Sequence, residues 1–296
     1  MVFRRLSGVH RSPAWLGAAV GLALWLGGCA SQQRVAPTTV GPQQVAAIAR
    51  IADAEWRRWG SGWAGSQGGE GCALLPDGRC RPVDDGCGAE QTAALCPVVN
   101  EYWRALGANG TGRERHSCGQ TDRCVAEWRP EFGQPERTAP WSAAFVSAVM
   151  RQAGFSPREF RFAAAHAQYI VAARDGLSSA FEALPTPAPV LPGDLVCLPR
   201  TADAAQRPLP LSAIRDGQGA GPPTPMHCDV VVSIDAAARR VQVVGGNVQQ
   251  SVLRRELTLQ PDGRLAWQPR ADAAWSVVLR PRRAPAAAPV CMGSDC

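Results

Sequence analysis

Apolar positions recur at helical spacing along the first part of the chain and then give way to short strand-like runs. Residues 44–59 put Val45, Ile48, Ala52, Trp56 and Trp59 on one stripe, with Arg50, Asp53, Arg57 and Arg58 off it. That spacing predicts an amphipathic helix whose two tryptophans pack on a main domain. Residues 98–106 predict a short helix with Val99, Tyr102, Trp103 and Leu106 inward. The clearest helix is 142–153, where Phe145, Val146, Val149 and Met150 supply the buried face and Gly154 ends it. Residues 162–175 predict another. Strand-like runs follow at 190–198, 229–234, 240–245, 252–259 and 275–279, with a hairpin loop at 235–239. Gly- and Pro-rich segments at 60–96, 107–140 and 199–225 read as loops, the last as an insertion between the first two strands. Helices first and an antiparallel sheet afterwards predict an α+β fold, with N-terminal helices packed on a sheet of about five strands.

The start of the chain has a different pattern. Arg4, Arg5 and Arg11 precede an apolar run over 14–26 that is short for a membrane-spanning helix, and the run ends in Leu26-Gly27-Gly28-Cys29-Ala30. This resembles a bacterial lipoprotein signal, which implies that 1–28 is a signal peptide and Cys29 the lipidated first mature residue. The alternative is an ordinary secretion signal with a chance Cys. In such lipoproteins an Asp after the Cys favours the inner membrane; Ala30 implies an outer-membrane anchor facing the periplasm. Residues 29–43 are polar with Pro37 and Pro42, and read as a tether. The remaining organisation is an N-terminal helix and Cys-rich loop region (44–100), the α+β domain (101–281) and a tail (282–296) with a Cys pair.

Composition changes the picture in two ways. The net charge of +6 includes the three arginines of the signal, leaving about +3 with no basic block, which excludes a nucleic-acid-binding patch. All 31 basic residues are Arg. The 11 cysteines become ten once Cys29 is set aside, an even number that suggests disulfides in an oxidising compartment. Cys72, Cys80, Cys87 and Cys96 cluster. Cys118 with Cys124, and Cys291 with Cys296, could close short loops. Cys197 and Cys228 read as a disulfide or as two buried thiols. The Cys cluster lacks a C-x-x-C pair and a nearby His, which argues against zinc. No metal or organic cofactor is implied.

The candidate chemistry lies in two segments. Pro140-Trp141-Ser142-Ala143-Ala144-Phe145-Val146 opens the clearest helix. Met226-His227-Cys228-Asp229-Val230 opens a strand, and Gly245-Gly246-Asn247 closes the next. A Ser hydroxyl becomes a nucleophile when a base takes its proton, and the base needs a partner on its other nitrogen. Ser142, His227 and Asn247 can fill those roles, and backbone N–H groups at the helix start could form an oxyanion hole. Each residue has a plainer reading: Ser142 as a helix N-cap, His227 as a packed strand residue, Asn247 as a turn residue with positive φ. Asp229 lies on the same side of the strand as His227 and could tune it or pair with an Arg. His166, in Ala165-His166-Ala167-Gln168-Tyr169, is an accessory candidate or a backbone-bonded buried His. Arg200 could hold a substrate carboxylate or be a surface Arg. Trp141 is a further accessory candidate.

The 140–154 segment resembles the nucleophile helix of the CHAP and NlpC-type cell-wall hydrolases. Leu191-Pro192-Gly193-Asp194-Leu195 is similar to the turn that opens their sheet, and the segments from His227 and from Val243 to Val248 are similar to the strands carrying their His and third polar residue. The resemblance implies a papain-like fold, cleavage of peptide or amide bonds in peptidoglycan, and a nucleophile at Ser142. Those enzymes have Cys there. The pattern also resembles a branch of unknown function that carries Ser, in which a His-x-x-Tyr pattern recurs. Three functions follow: an envelope hydrolase of peptidoglycan-related amide bonds, a catalytically inactive lipoprotein that binds cell-wall peptides or acts as a scaffold, and an acyl transferase or esterase on the same frame.

Overall fold

The computed structural model describes residues 33–64, 72–74, 80–82, 89–91, 94–107, 117–118, 126–127, 140–200, 208–219, 221–265 and 274–284. The expected signal peptide, the expected lipidation position Cys29, and Cys291 with Cys296 lie outside the described residues. Among those described, no helix is long and apolar enough to cross a membrane.

Among the described residues, four helices and one large sheet carry the architecture. Helix α1 (Pro42–Arg58) starts at a Pro, whose fixed φ suits the first helical turn, and buries Val45, Ile48, Ala52 and Trp56 along the predicted stripe. Helix α2 (Cys96–Arg104) buries Val99, Tyr102 and Trp103. Helix α3 (Ser142–Gln152) is buried at every position from Ser142 to Met150, as expected of a helix enclosed on all sides. Helix α4 (His166–Arg174) starts four residues later than the apolar pattern begins.

The sheet has six antiparallel strands: β5 (Phe181–Pro185), β6 (Leu195–Pro199), β7 (Met226–Asp235), β8 (Arg240–Val248), β9 (Ser251–Thr258) and β10 (Val277–Pro281). Their order in space is β5-β10-β6-β7-β8-β9. Two short hairpins precede it, β1 (Cys72–Leu74) with β2 (Cys80–Pro82) and β3 (Ser117–Cys118) with β4 (Ala126–Glu127). The α+β expectation holds, with one strand more than expected. That strand, β5, ends in Pro185 and lies at the sheet edge, where a missing N–H is tolerated.

Both sheet faces are buried. Cys228, Val230, Val244 and Leu195 join the helix-side core with Phe145 and Val146. Val231, Val243, Val196 and Val278 pack on the other face beneath Val190, Leu265 and Trp275. The run Val230-Val231-Val232 therefore lacks polar alternation because successive side chains enter two cores.

Two features fix the helices to the sheet. At the Pro192-Gly193 turn, a Cβ on Gly193 would lie 2.8 Å from the Val45 carbonyl oxygen, so α1 packs there only against glycine. The buried Asp194 carboxylate accepts from the Leu191 N–H (3.0 Å), Arg280 (3.0 Å) and Arg283 (2.8 Å), tying this turn to the end of β10. The connection from β6 to β7 is also anchored in its described part. Arg174 donates to the carbonyls of Leu211 (3.1 Å) and Ile214 (2.7 Å), and the Leu209 N–H donates to Ser276 Oγ (2.8 Å).

Two disulfides are present among the described residues. Cys197 pairs with Cys228 across β6 and β7, which settles the choice left open between a disulfide and two thiols. Cys118 pairs with Cys96, not with Cys124, so the bond closes the segment between α2 and β3 and not a short local loop.

Candidate functional site

Ser142 is the first residue of α3, not its cap. The cap position is Trp141, no side chain caps the helix, and the first helical bond runs from the Phe145 N–H to the Trp141 carbonyl (2.9 Å). Its hydroxyl is thereby free of the capping role and lies 2.7 Å from Nε2 of His166. His166 opens α4, and its other ring nitrogen bonds the hydroxyl of Tyr169, three residues on and so on the same helix face. Two neighbouring helix starts thus build a chain from hydroxyl to imidazole to phenol.

The second half of the site comes from the sheet. His227 and Asp229 are two residues apart on β7, and His227 donates from Nε2 to Asp229 Oδ1 (2.8 Å). Val230 is paired with Val244, which brings Gly245 beside Asp229. A Cβ on Gly245 would lie 2.0 Å from Asp229 Oδ1, so the glycine makes the space the carboxylate occupies. From β9, one strand further, Arg255 reaches over β8 to place Nη2 2.7 Å from Asp229 Oδ2, an ion contact without hydrogen-bond alignment. The two halves meet edge to face, with the His166 and His227 rings 5.4 Å apart.

Burial sets the charge states. Ser142, His166 and His227 are 5%, 4% and 3% exposed, and Asp229 is fully buried. Desolvation holds the His166 imidazole well below its ordinary value of 6.5; His227 and Arg200 add to this and Asp229 opposes it. Desolvation also lowers His227, against the pull of Asp229. Burial alone would raise Asp229, but Arg255 and His227 outweigh it and hold the carboxylate at about 2. Burial and Asp229 push the Tyr169 hydroxyl well above 10.0, so it stays protonated. Both imidazoles are therefore neutral at pH 7, and Asp229 is ionised. Because Asp229 accepts the Nε2 proton of His227, Nδ1 of that ring carries a lone pair. It is buried and has no hydrogen-bond partner. When Tyr169 accepts from Nδ1 of His166, Nε2 of His166 can accept the proton of Ser142.

The sign of these shifts fixes a pH dependence. A histidine whose folded pKa is depressed contributes its full stability above its unfolded value and loses it as pH falls towards the folded one. We expect unfolding free energy, measured in urea, to be flat from pH 8 to 7 and to fall below about pH 6.5, at up to about 1.4 kcal/mol per pH unit for each histidine. Replacing His166 with Asn should flatten that slope. Asp229 has the same sign in a lower window, its contribution disappearing only as pH drops from about 4 through about 2.

The sequence-predicted residues do not all converge as expected. Ser142 bonds His166, not His227. The orienting partner of His227 is Asp229, not Asn247. The reason is local: β8 is irregular between Gly245 and Val248, and Asn247 sits there in the left-handed region at φ 54°, which Asn tolerates. Its plainer reading as a turn residue fits this geometry. Trp141 is fully buried, stacked on Trp59 (5.1 Å) and Tyr102 (5.6 Å), with its indole N–H donating to Glu90. Its role is to pack α1 and α2 against the start of α3. Arg200 is exposed and its charge acts on both imidazoles. Arg255 was missed. Its sequence signal was a charge in the row of β9 that also holds Leu253 and Leu257, a core-facing row that demands a buried acid.

Fold and site together define an α+β domain in which a helix-start serine and two neutral histidines meet a buried carboxylate at one end of an antiparallel sheet. The chain belongs to the bacterial family described as "Uncharacterized protein conserved in bacteria (DUF2272)", whose model matches residues 90–281. That match spans α2 to the end of β10 and includes every residue of the site. No curated protein and no solved structure matches the chain. A bacterial family with disulfides is consistent with an extracytoplasmic protein. Among the described residues, no group of three or more His, Cys, Asp or Glu could hold a metal.

Proposed function

We propose that this chain is an envelope lipoprotein, anchored through Cys29 to the outer membrane, that hydrolyses amide or peptide bonds of peptidoglycan with Ser142 as nucleophile. The supporting observation is the 2.7 Å contact from the Ser142 hydroxyl to a neutral imidazole, made by a serine that is not spent as a cap. Ser142 Oγ attacks the substrate carbonyl carbon while its proton passes to Nε2 of His166. The N–H groups ahead of Phe145 have no carbonyl within the helix and face the oxyanion. Collapse breaks the C–N bond, and the leaving amine takes the proton from His166. Water then attacks the acyl-enzyme, its proton passing to Nδ1 of His227, the lone pair left free by the bond to Asp229. As the acid departs, the proton held on His227 passes through water to the Ser142 oxygen, which restores the neutral imidazole and the serine hydroxyl.

A second reading is a catalytically inactive domain that binds cell-wall peptides. The shielding of Ser142, His166 and His227, each 5% exposed or less, favours it, because substrate reaches the hydroxyl only if the surrounding chain moves. Incubation with purified sacculi and with an activated ester separates the readings. The hydrolase releases muropeptide fragments or turns over the ester, and Ser142→Ala abolishes this at unchanged melting temperature. The binding domain releases nothing but co-sediments with sacculi. Ester turnover without muropeptide release points to an esterase or acyl transferase. Activity that survives Ser142→Ala rules out the nucleophile.

A further inference from the structure

We infer that the site selects substrates carrying a carboxylate near the reacting bond and that Arg200 holds that group, an inference that rests on the hydrolase reading for its catalytic consequence. Arg200 directly follows β6. Its backbone N–H donates to the Pro225 carbonyl (2.8 Å), continuing the ladder in which Leu198 stands opposite His227. The backbone of Arg200 is thus tethered to the end of the sheet that carries His227, and the residue is exposed. Neighbouring arginines on the sheet are matched with acids: Arg255 with Asp229, Arg280 and Arg283 with Asp194. Arg200 has no carboxylate partner among the described residues.

Its charge nevertheless reaches both imidazoles and opposes protonation of each. An exposed cation with no acid paired to it among the described residues, whose charge reaches two groups that must accept protons, is an unfavourable arrangement in the free protein. A bound carboxylate relieves it. Two parallel N–H···O bonds suit the planar guanidinium, and the added negative charge offsets the cation when substrate is in place. His166 then accepts the Ser142 proton more readily than in the free protein. A chain terminus and an acidic side chain offer the same carboxylate, so the test must tell them apart.

Two measurements on the purified protein decide this. In the first, hydrolysis of mono-4-nitrophenyl glutarate is compared with that of 4-nitrophenyl butyrate. The ratio of kcat/KM should favour the carboxylate ester by about tenfold or more, fall to near one in Arg200→Ala, and persist in part in Arg200→Lys. Equal rates in the wild type, or a preference that survives Arg200→Ala, overturn the inference. In the second, histidine ring signals are followed by NMR during titration with three compounds. These are N-acetyl-Ala-Ala (free terminus), N-acetyl-Glu-amide (side-chain carboxylate) and N-acetyl-Ala-Ala-amide (neither). A saturable shift of the His166 and His227 signals with one or both acids, absent with the amide and lost in Arg200→Ala, supports the site and identifies the source. No shift overturns it. If neither ester is hydrolysed and sacculi release no muropeptides, the hydrolase reading fails on its own, and the titration still decides whether Arg200 binds carboxylates.

Discussion

Replacing His166 with Ala or Gln should lower kcat/KM for an activated ester by at least about a hundredfold, within the range expected for losing a general base. A serine proton is not released near neutral pH without an acceptor, and among the described residues the hydrogen-bonding partner of Ser142 Oγ is His166. Gln preserves a polar atom near the serine but offers no basic nitrogen, so it should fail as Ala does. Both variants should retain the far-ultraviolet spectrum of the wild type, because α4 begins at this residue and its apolar face is otherwise intact. If His166→Gln turned over ester at the wild-type rate, the proton would have to leave by another route, and the assignment of His166 would be wrong.

Asp229→Ala should produce the largest loss of stability at the site. The carboxylate is fully buried between His227 and Arg255, and removing it strands the partly buried Arg255 charge and frees His227 Nε2. Breaking a buried pair by deleting one partner costs about 3–5 kcal/mol. For a domain of this size that corresponds to a fall in Tm on the order of 10 °C. Combining it with Arg255→Leu should restore part of the loss, since the stranded charge is gone. A fall in Tm under about 2 °C for Asp229→Ala would show that the three groups do not act as a unit. Asp229→Asn keeps the volume, so its effect should be smaller on stability and concentrated on turnover, through loss of the fixed His227 tautomer.

The fold was largely legible because its helices and inner strands repeat apolar residues with clear periods. Helix α3 could be read from Phe145, Val146, Val149 and Met150, and β7 from Val230 to Ile234. What escaped was the edge strand β5, where Phe181-Glu182-Ala183-Leu184-Pro185 has little alternation and ends in a proline. At the site, the residues were legible and their pairing was not. Ser142, His166, His227 and Asp229 all stood out as polar groups in apolar surroundings. Which imidazole meets which partner depends on the angle between α3 and α4 and on the register that puts Gly245 beside Asp229. Neither is encoded in local spacing. Asn247 attracted attention because it follows two glycines, yet those glycines serve other ends. Gly245 makes room for Asp229, and a Cβ on Gly246 would lie 2.4 Å from the Phe145 ring. The signal for the orienting group was nearer at hand: an acid two residues from the histidine on one strand, and an arginine in the core-facing row of β9.

The most direct measurement is covalent capture of the nucleophile. The purified protein is treated with a fluorophosphonate and the site of attachment is mapped by peptide mass spectrometry. A single adduct on Ser142 that is lost in His166→Ala is expected. An unlabelled wild-type protein, or an adduct on another serine, would contradict the assignment of Ser142 as nucleophile.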